Sequence, residues 1–369
     1  MERKYALKKG DSTIETGEEM VKQYIAVFVC GCFGGWLFYL VHIPIPWTLG
    51  PLVATGIIQI ALKKKVVWPG KIRNAAMVVL GLVMGSPFTP ETGQNILAKL
   101  PMLAGVTVVT VIVCLLGGIL ANRFTGTSLA TSLLGSMPGG MSQISTICED
   151  LKNIDVAAVT FMQTVRMLTV VSIVPFLALH GFADTASTVS LKKMGGNGDA
   201  SALILFLGNI YAFIYLAKYL RMPSPYIICP IVGTAILVLG GLNPPALPQS
   251  AIAVAQVCVG IRLGMAIDRG SVEGWKKLVF FSWLNIMAVL MVLLGVDYLL
   301  VRITATSFVT AFISTAPGGM AEMGLTAMMT GADLSSVVAF QLFRLLFVIL
   351  VAIPAVRWWL SRYETLDRA

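Results

Sequence analysis

Long apolar stretches, separated by short polar segments, run through most of the chain. Two of them stand out: residues 21–41, and residues 96–121, where Lys99 is the charged position. Each is close to the roughly 20 residues that an α-helix needs to cross a bilayer. Several comparable stretches follow, so the pattern predicts an all-α polytopic membrane protein rather than a soluble domain with one anchor.

The composition agrees with this prediction. Of the 369 residues, 57% are hydrophobic and 12% are charged, whereas a soluble domain usually carries about 25% charged residues. Membrane lipids are therefore the expected surroundings. The net charge of +9 lies mostly in short loops, where lysine and arginine hold loops in the cytoplasm, so no nucleic-acid partner is expected.

Residues that carry metal or cofactor chemistry are sparse. The six cysteines include no CxxC pair, and His42 and His180 are the two histidines, which is too few for a histidine-ligated metal centre. The sequence also lacks a P-loop motif for ATP phosphates. We therefore expect neither a cofactor nor an enzymatic activity.

The chain carries one sequence pattern twice, at an offset of 179 residues that falls to 178 near the end of each copy. The ordered matches pair residues 43–47 with 222–226, 81–85 with 260–264, 125–128 with 304–307, 137–141 with 316–320, and 155–166 with 333–344. A repeat of this length fixes the architecture. The predicted divisions are a polar N-terminal extension at 1–20, a first membrane repeat at 21–185, a linker at 186–199, a second membrane repeat at 200–360 and a C-terminal tail at 361–369.

The orientation of the two repeats depends on one broken stretch, which in the first repeat spans 127–150 between the fourth and fifth of five helices. If it crosses the membrane, each repeat has six spans and the repeats are parallel. If it turns back, each has five and the repeats are inverted. Turning back collects most basic residues on one side, including Arg73, Lys276 and Lys277. Cytoplasmic loops carry such an excess, so we predict two inverted five-helix repeats with both termini in the cytoplasm.

A Pro-Gly-Gly break in each repeat is the strongest local signal for a site. The breaks consist of Pro138, Gly139 and Gly140 in the first repeat and Pro317, Gly318 and Gly319 in the second. Proline ends an incoming helix, and a returning helix can direct its positive N-terminal end at a bound anion. A tight packing turn is the alternative. Two copies in a repeated architecture favour substrate binding, because secondary transporters place their sites at interrupted helices.

An arginine lies about eleven residues into the last helix of each repeat. Arg166 and Arg344 are therefore expected near the bilayer centre, where a charge costs roughly 2.5–3.5 kcal/mol on insertion scales. Gln163 and Gln341 lie three residues earlier, on the same helical face. We predict that these four residues bind a substrate anion. The alternative is a structural role, in which each arginine pairs with an interior aspartate or carbonyl group.

Three acidic residues are candidates for ion coupling. Asp155 and Asp333 precede the two arginines by eleven residues, and a helix N-cap is the alternative role for both. Glu322 occupies the position that Gln143 has in the first repeat. Glu322 could carry a proton, help to bind a cation or pair with an arginine, and Gln143 is a candidate substrate contact.

Residues 136–141 and 315–320, which read Ser-Met-Pro-Gly-Gly-Met and Thr-Ala-Pro-Gly-Gly-Met, together with the duplication resemble the bacterial AbrB-type membrane protein family. The resemblance begins at about residue 22 and implies a multi-pass protein of the bacterial inner membrane. Family members carry two labels, regulator of gene expression and ammonia monooxygenase. Neither label follows from these residues, because an oxygenase needs a metal site and a DNA-binding regulator needs a soluble reading module.

A weaker resemblance links the repeat to the 2-hydroxycarboxylate and related anion transporters, which have inverted five-helix repeats with Gly-Gly-x-Gly re-entrant loops. In this sequence the fourth position is Ser142 or Ala321 instead of glycine, so the resemblance implies the architecture and does not identify the substrate. Our hypothesis is a secondary transporter of a small organic anion, a carboxylate or an amino acid, coupled to protons or another ion. The alternative is a membrane-embedded sensor or regulator that acts indirectly on gene expression. A homo-oligomer stays an open alternative.

Overall fold

The computed structural model describes residues 17–62, 68–139, 144, 148, 154–182, 200–220, 222, 224–266, 275–304 and 306–366. The first repeat contains the helices α1 (Gly17–Leu40), α2 (Pro46–Leu62), α3 (Gly70–Gly85), α4 (Pro90–Ala98), α5 (Leu100–Thr125), α6 (Leu129–Ser136) and α7 (Val156–Leu177), the last continued by a π-helical turn at Ala178–Phe182. Their order is then repeated in the second half of the chain.

The second repeat contains α8 (Ala200–Tyr219), α9 (Pro225–Leu239), α10 (Gln249–Gly264), α11 (Trp275–Thr304), α12 (Phe308–Thr315), α13 (Met320–Thr330), α14 (Leu334–Phe347) and α15 (Ile353–Leu366), with a π-helical turn at Val348–Ala352 between the last two. The helices α1, α2, α3, α5, α6 and α7 correspond in order to α8, α9, α10, α11, α12 and α14. This correspondence places the two Pro-Gly-Gly breaks directly after α6 and α12.

Six helical segments within the described ranges are long and apolar enough to cross a membrane. They are Val21–Leu40, Leu100–Thr125, Val156–Phe182, Ala202–Tyr219, Trp275–Thr304 and Leu334–Leu360. The apolar helices α9 and α10 are shorter. The prediction of an all-α polytopic membrane protein is confirmed. The predicted single helix over 96–121 divides at Lys99, because Pro101 begins a new helix more readily than it continues an old one.

Equivalent residues set equivalent helix boundaries in the two repeats. The hydroxyl of Ser128 accepts a hydrogen bond from the Thr131 N–H at 3.2 Å, and Ser307 accepts one from Thr310 at 3.2 Å, so α6 and α12 both begin with a serine N-cap. Ile45 and Ser224, which precede α2 and α9, have left-handed φ angles of 47° and 49°. A β-branched residue rarely adopts this conformation; Ile45 does so at a fully buried position between Pro44 and Pro46.

Glycines allow α3 of the first repeat to approach α9 of the second. A Cβ atom at Gly81 would lie 2.7 Å from Cβ of Pro230, and one at Gly85 would lie 2.6 Å from Cβ of Thr234. Small residues at helix contacts permit such approach in membrane proteins. The earlier residue Gly81 contacts the earlier residue Pro230, and the later residue Gly85 contacts the later residue Thr234. The helices α3 and α9 therefore run in the same direction.

The counterpart contact joins α10 to α2. A Cβ atom at Gly260 would lie 3.2 Å from Cβ of Pro51, and one at Gly264 would clash with the Thr55 side chain. The Thr55 hydroxyl also donates to the Ile261 carbonyl at 3.3 Å. Residue numbers again rise together, so α10 and α2 run in the same direction. Each repeat therefore contributes its second helix to one of these interfaces and its third helix to the other.

The broken segments return to the end from which they start. In the first repeat, the Asp155 N–H donates to the Thr131 hydroxyl at 3.1 Å, and in the second the Asp333 N–H donates to Thr310 at 3.1 Å. Thr131 and Thr310 lie in the first turns of α6 and α12, whereas the two aspartates immediately precede α7 and α14. The chain has therefore come back to the level of its entry before the last helix of each repeat begins.

Candidate functional site

At the ends of α6 and α12, carbonyl groups that have no partner within their own helix lie inside the protein. The last four carbonyls of any helix lack partners within the helix, and an unsatisfied backbone group costs several kcal/mol in hydrocarbon. After α6, Met137 is extended with φ −66° and ψ 135°, and after α12, Ala316 has φ −54° and ψ 129°. Donors from another helix must therefore satisfy these carbonyls.

In the first repeat, α7 supplies the donors. Arg166 donates through Nη1 to the Met137 carbonyl at 2.5 Å and through Nη2 to the Gly139 carbonyl at 3.1 Å. Gln163 donates through Nε2 to the carbonyls of Leu134 and Met137 at 2.9 and 3.0 Å. The two side chains, one turn apart, together hold the end of α6 and the extended residues that follow it.

In the second repeat, α14 does the same. Arg344 donates through Nη1 to the carbonyls of Thr315 and Ala316 at 3.1 and 2.7 Å, and through Nη2 to the Gly318 carbonyl at 3.1 Å. Its Nη2 also donates to Oε1 of Gln341. The amide of Gln341 donates to the carbonyls of Ile313 and Ser314 and shares the Ala316 carbonyl with Arg344, at 3.1–3.3 Å. The arginine charge lies at the negative end of a helix dipole, which stabilises it there.

This geometry is the arginine–carbonyl alternative that the sequence leaves open. Both Nη groups of Arg344 are used within the protein, so an anion would meet the charge of this guanidinium rather than a free pair of N–H groups. Among the described residues, Arg166 and Arg344 bond to carbonyl and amide oxygens rather than to carboxylates. Anion binding by these arginines and glutamines stays a prediction.

The two aspartates lie outside the cavity described below and act as N-caps. Oδ1 of Asp155 accepts from the Ala158 N–H at 3.0 Å and so begins α7. Asp333 begins α14 by accepting from the Ser335 N–H at 3.1 Å and from the hydroxyls of Ser335 and Ser336 at 2.5 Å. The structure thus shows the capping role for both residues, and coupling by either is not part of this geometry.

Both Pro-Gly-Gly breaks line one cavity of about 470 Å³. It brings together most of the residues that the sequence singles out, namely Pro138, Gly139, Gln163, Arg166, Pro317, Gly318, Gly319, Glu322, Gln341 and Arg344. Gly140 and Gln143, also predicted for the site, lie outside the described residues. A cavity of this size suits a small molecule.

Two further arginines line the same cavity. Arg73 lies in the first turn of α3, and Arg262 lies in the last turn of α10. Arg73 is expected from the sequence as a cytoplasmic loop charge, and Arg262 was not predicted for the site, although a charge between Gly260 and Gly264 in an apolar helix was a usable signal. Within the described lining, four arginines face one carboxylate, that of Glu322. The cavity therefore carries an excess of positive charge, which favours an anion.

Glu322 lies in the first turn of α13 and is 2% exposed. Its carboxylate folds back over Gly319, where it occupies the space of a missing Cβ. An acidic group at this end of a helix is stabilised by the helix dipole. Within the described ranges no arginine pairs with it, so it faces the positive end of its own helix at the wall of the cavity.

A second, much smaller cavity of about 10 Å³ lies behind Arg166. Four polar atoms at its wall lack a hydrogen-bond partner among the described residues: Oγ of Ser136, Nε of Arg166, Oγ of Ser282 and Oδ1 of Asn285. A volume near 10–15 Å³ with two to four polar partners suits one buried water. This arrangement joins the end of α6 to α7 and α11.

Together these features define a multi-pass helical membrane protein with two repeated broken helices around a cationic cavity. Residues 47–360 match the model of a family described as "Transition state regulatory protein AbrB", and the chain belongs to this family. A relative from Escherichia coli (strain K12), "Putative regulator AbrB", is 27% identical over 326 residues, which cover 88% of this chain and 93% of the relative. "Uncharacterized protein YhjN" of Bacillus subtilis (strain 168) is 25% identical over 345 residues, with coverage of 88% and 90%.

Proposed function

We propose that the protein is a secondary transporter of a small organic anion, a carboxylate or an amino acid, and that a proton or another ion drives the cycle. The observation that carries this proposal is the cavity of about 470 Å³ between two broken helices, in which four arginines face one carboxylate. Secondary transporters bind substrates where interrupted helices of two repeats meet. We propose no enzymatic step, and lipids of the bacterial inner membrane surround the helices.

An inverted arrangement of the two repeats supports transport. α2 and α3 are consecutive and joined by the short connection 63–69, which is typical of antiparallel neighbours. Since α9 runs in the direction of α3, it runs against its own counterpart α2. Equivalent helices then have opposite directions, as in repeats related by an axis in the membrane plane. The return of the broken segments at Asp155 and Asp333 agrees with five spans in each repeat. Ten spans place both termini on the same side, which we assign to the cytoplasm by the positive-inside rule.

The cavity is also one-sided. Arg73, Ser224 and Arg262 line it, whereas the residues at the corresponding repeat positions, Ile252, Ile45 and Val83, are 7%, 0% and 6% exposed within the core. The face that carries Arg73 is the cytoplasmic one by the positive-inside rule. A cycle that exchanges the roles of the two repeats would close this face and open the other.

Counterflow in proteoliposomes tests the proposal. The purified protein is reconstituted with internal succinate, citrate, lactate or glutamate, and uptake of the same radiolabelled anion is measured. Replacing both Arg73 and Arg262 with Gln should lower uptake without a large change in melting temperature. Arg302 is exposed, bonds to Tyr298 at 2.9 Å and lies outside the cavity lining, so Arg302→Gln is the matched control. No counterflow with any of these anions would argue against transport of simple carboxylates.

The alternative function is a membrane-embedded sensor that acts indirectly on gene expression. The observation in its favour is the name of the Escherichia coli relative, which contains the word regulator. A sensor would bind one of the same anions in detergent, as shown by a raised melting temperature, yet would give no counterflow. It would also retain a stable partner protein after purification. Flux and stable partner binding therefore separate the two functions.

A further inference from the structure

A carboxylic acid lies buried in the 30-residue helix α11, outside the lining of the cavity. Asp297 belongs to α11 and is 0% exposed. Its hydrogen-bond partner in the structure is the hydroxyl of Thr315, whose oxygen lies 2.9 Å from Oδ1 and 3.2 Å from Oδ2. Thr315 is the last residue of α12, so the acid sits beside the end of the second broken helix.

No cation faces Asp297 from the described parts of α5, α7 and α12, the helices with the most extensive packing on α11. Arg344 of α14 bonds to the Thr315 carbonyl, but its Nη hydrogen bonds go to carbonyl and amide oxygens and none goes to Asp297. α12 has no charged or titratable residue. α5 contributes Arg123 and Cys114, and α7 contributes Arg166. The neighbour of Arg123, Phe124, stacks on Phe281 with ring centres 5.1 Å apart. Arg123 therefore lies near the opposite end of α11.

The remaining groups are also distant along α11 or face outward. Cys114 and Arg166 border the small cavity, whose wall on α11 runs from Ser282 to Val289, about 12–23 Å from Asp297 along a helix that rises 1.5 Å per residue. On α11 itself, Arg302 bonds to Tyr298 at 2.9 Å, and both side chains are exposed.

An ionised carboxylate would be poorly stabilised here. It would have one hydroxyl donor in an apolar interior, where a charge needs pairing and several hydrogen bonds. It would also lie at the carbonyl end of α12, which disfavours negative charge. The protonated acid fits better, because its O–H can donate to the Thr315 hydroxyl, and that hydroxyl can donate onward to the Phe312 carbonyl at 3.3 Å.

The fold itself does not require an acid at this position. The counterpart of Asp297 in the first repeat is Gly118, and a Cβ atom there would lie 3.1 Å from Oγ of Ser136, the counterpart of Thr315. The same two helices therefore meet in both repeats, with a carboxyl group in the second alone. The contact between these two helices therefore forms without a carboxyl group.

Thr315 connects the acid to the cavity. Its hydroxyl contacts Asp297, and its carbonyl accepts from Arg344 Nη1 at 3.1 Å. We propose that Asp297 is a proton-binding site and that gain or loss of its proton shifts the end of α12 through Thr315 and Arg344. Proton binding by Asp297 does not depend on the proposed transport function, whereas the coupling of this proton to anion movement does.

Infrared difference spectroscopy tests the proton site directly on the full chain in detergent or lipid. At neutral pH the wild type should show the carbonyl stretch of a protonated carboxylic acid, and Asp297→Asn should lose that band. Asp333→Asn and Glu322→Gln are controls that should keep the Asp297 component. A spectrum of Asp297→Asn with the wild-type band intact would overturn the proposal. If Asp297→Asn fails to fold, Asp297→Glu should retain the band of a protonated acid at a shifted frequency. An unshifted band in Asp297→Glu would also overturn the proposal.

Coupling is tested in proteoliposomes that contain the pH dye pyranine, with succinate as probe and an imposed proton gradient. We expect Asp297→Asn to keep succinate counterflow but to lose proton-driven accumulation and the accompanying dye response. Unchanged proton-driven accumulation in Asp297→Asn would overturn the coupling role. If the wild type moves neither succinate nor citrate, lactate or glutamate, the transport proposal fails instead, and the infrared result still decides whether Asp297 holds a proton.

Discussion

Arg344 donates to the carbonyl oxygen of Ala316 at 2.7 Å and thereby closes the end of a helix to which it does not belong. Arg166 has the same relationship to Met137 in the first repeat. A guanidinium group is suited to this task because it presents five N–H donors in a fixed plane. Side chains of α7 and α14 therefore stabilise the breaks after α6 and α12, and the shape of the site depends on these two contacts.

Replacing Arg344 with Gln should lower stability as well as function. The carbonyls of Thr315, Ala316 and Gly318 would lose a donor, at roughly 1–3 kcal/mol for each buried group left unsatisfied. Arg344→Lys should recover part of the loss, because a point charge cannot reach three carbonyls with the geometry of a planar fork. Melting temperature in detergent and anion binding are measured together. Loss of binding with an unchanged melting temperature would instead identify the arginine as a ligand contact.

Gly81→Ala should weaken the contact between the two repeats. The new methyl group would lie 2.7 Å from Cβ of Pro230 and 3.1 Å from the Ile227 carbonyl, and overpacking of this kind typically costs about 1–3 kcal/mol. Gly208 also lies inside a helix, but a methyl group added there would have no atom within 4 Å. Gly208→Ala is therefore the control and should leave the melting temperature equal or higher. Equal effects of both changes would contradict the close contact of α3 with α9.

The repeat explains how much the sequence predicts here. The helical class, the breaks at Pro138 and Pro317 and the position of Arg166 within its helix all follow from local signals that occur twice. The capping roles were left as alternatives, because a sequence shows that a buried arginine needs a partner without showing which one is close. Arg262 and Asp297 were missed because neither has a repeated counterpart, and what defines them is the packing of helices from both halves.

Accessibility to a thiol reagent should follow the one-sided cavity. Cysteines introduced at Arg73 and Ser224, in a background in which the exposed Cys30 and the partly exposed Cys32 are replaced with Ser, should react with a charged maleimide added from the cytoplasmic side. Cysteines at Ile252 and Ile45 should stay protected, since both positions are buried in the core. Addition of a transported anion should raise reactivity at Ile252 if the opposite face opens during the cycle. Equal labelling of all four positions without an anion would exclude a one-sided cavity.

The orientation of the repeats gives a separate labelling result. An inverted arrangement places Arg73 and Lys276 on the cytoplasmic side and Pro245 on the outer side, so cysteines at these positions should divide accordingly in intact cells and inverted vesicles. Parallel repeats would place Lys276 on the outer side instead. The result is independent of any substrate, because it depends on how many times each repeat crosses the membrane.

Glu322→Gln should change how anion binding depends on pH. In the structure the Glu322 carboxylate lies over Gly319, at the positive end of α13 and at the wall of the cavity. A negative charge there repels a substrate anion and occupies the helix end that would attract it, so binding to the wild type should strengthen as falling pH protonates Glu322. Gln has the shape of the protonated acid without its charge, and the variant should therefore bind the anion at least as tightly and with a flatter pH profile.

The reciprocal change, Gln143→Glu, tests whether the break in the first repeat contributes to anion binding as the break in the second repeat does. It introduces an acid at the counterpart of Glu322, and if Gln143 contacts the substrate as the sequence predicts, this variant should bind anions more weakly at neutral pH and recover at acidic pH. The measurement is the midpoint of thermal stabilisation by succinate across a pH series, with sodium present or replaced by choline. A cation-binding role for Glu322 predicts a different pattern, in which Glu322→Gln abolishes a sodium-dependent stabilisation that the wild type shows. Sodium dependence lost in Glu322→Gln, with the pH profile unchanged, would therefore assign the carboxylate to a cation instead of a proton.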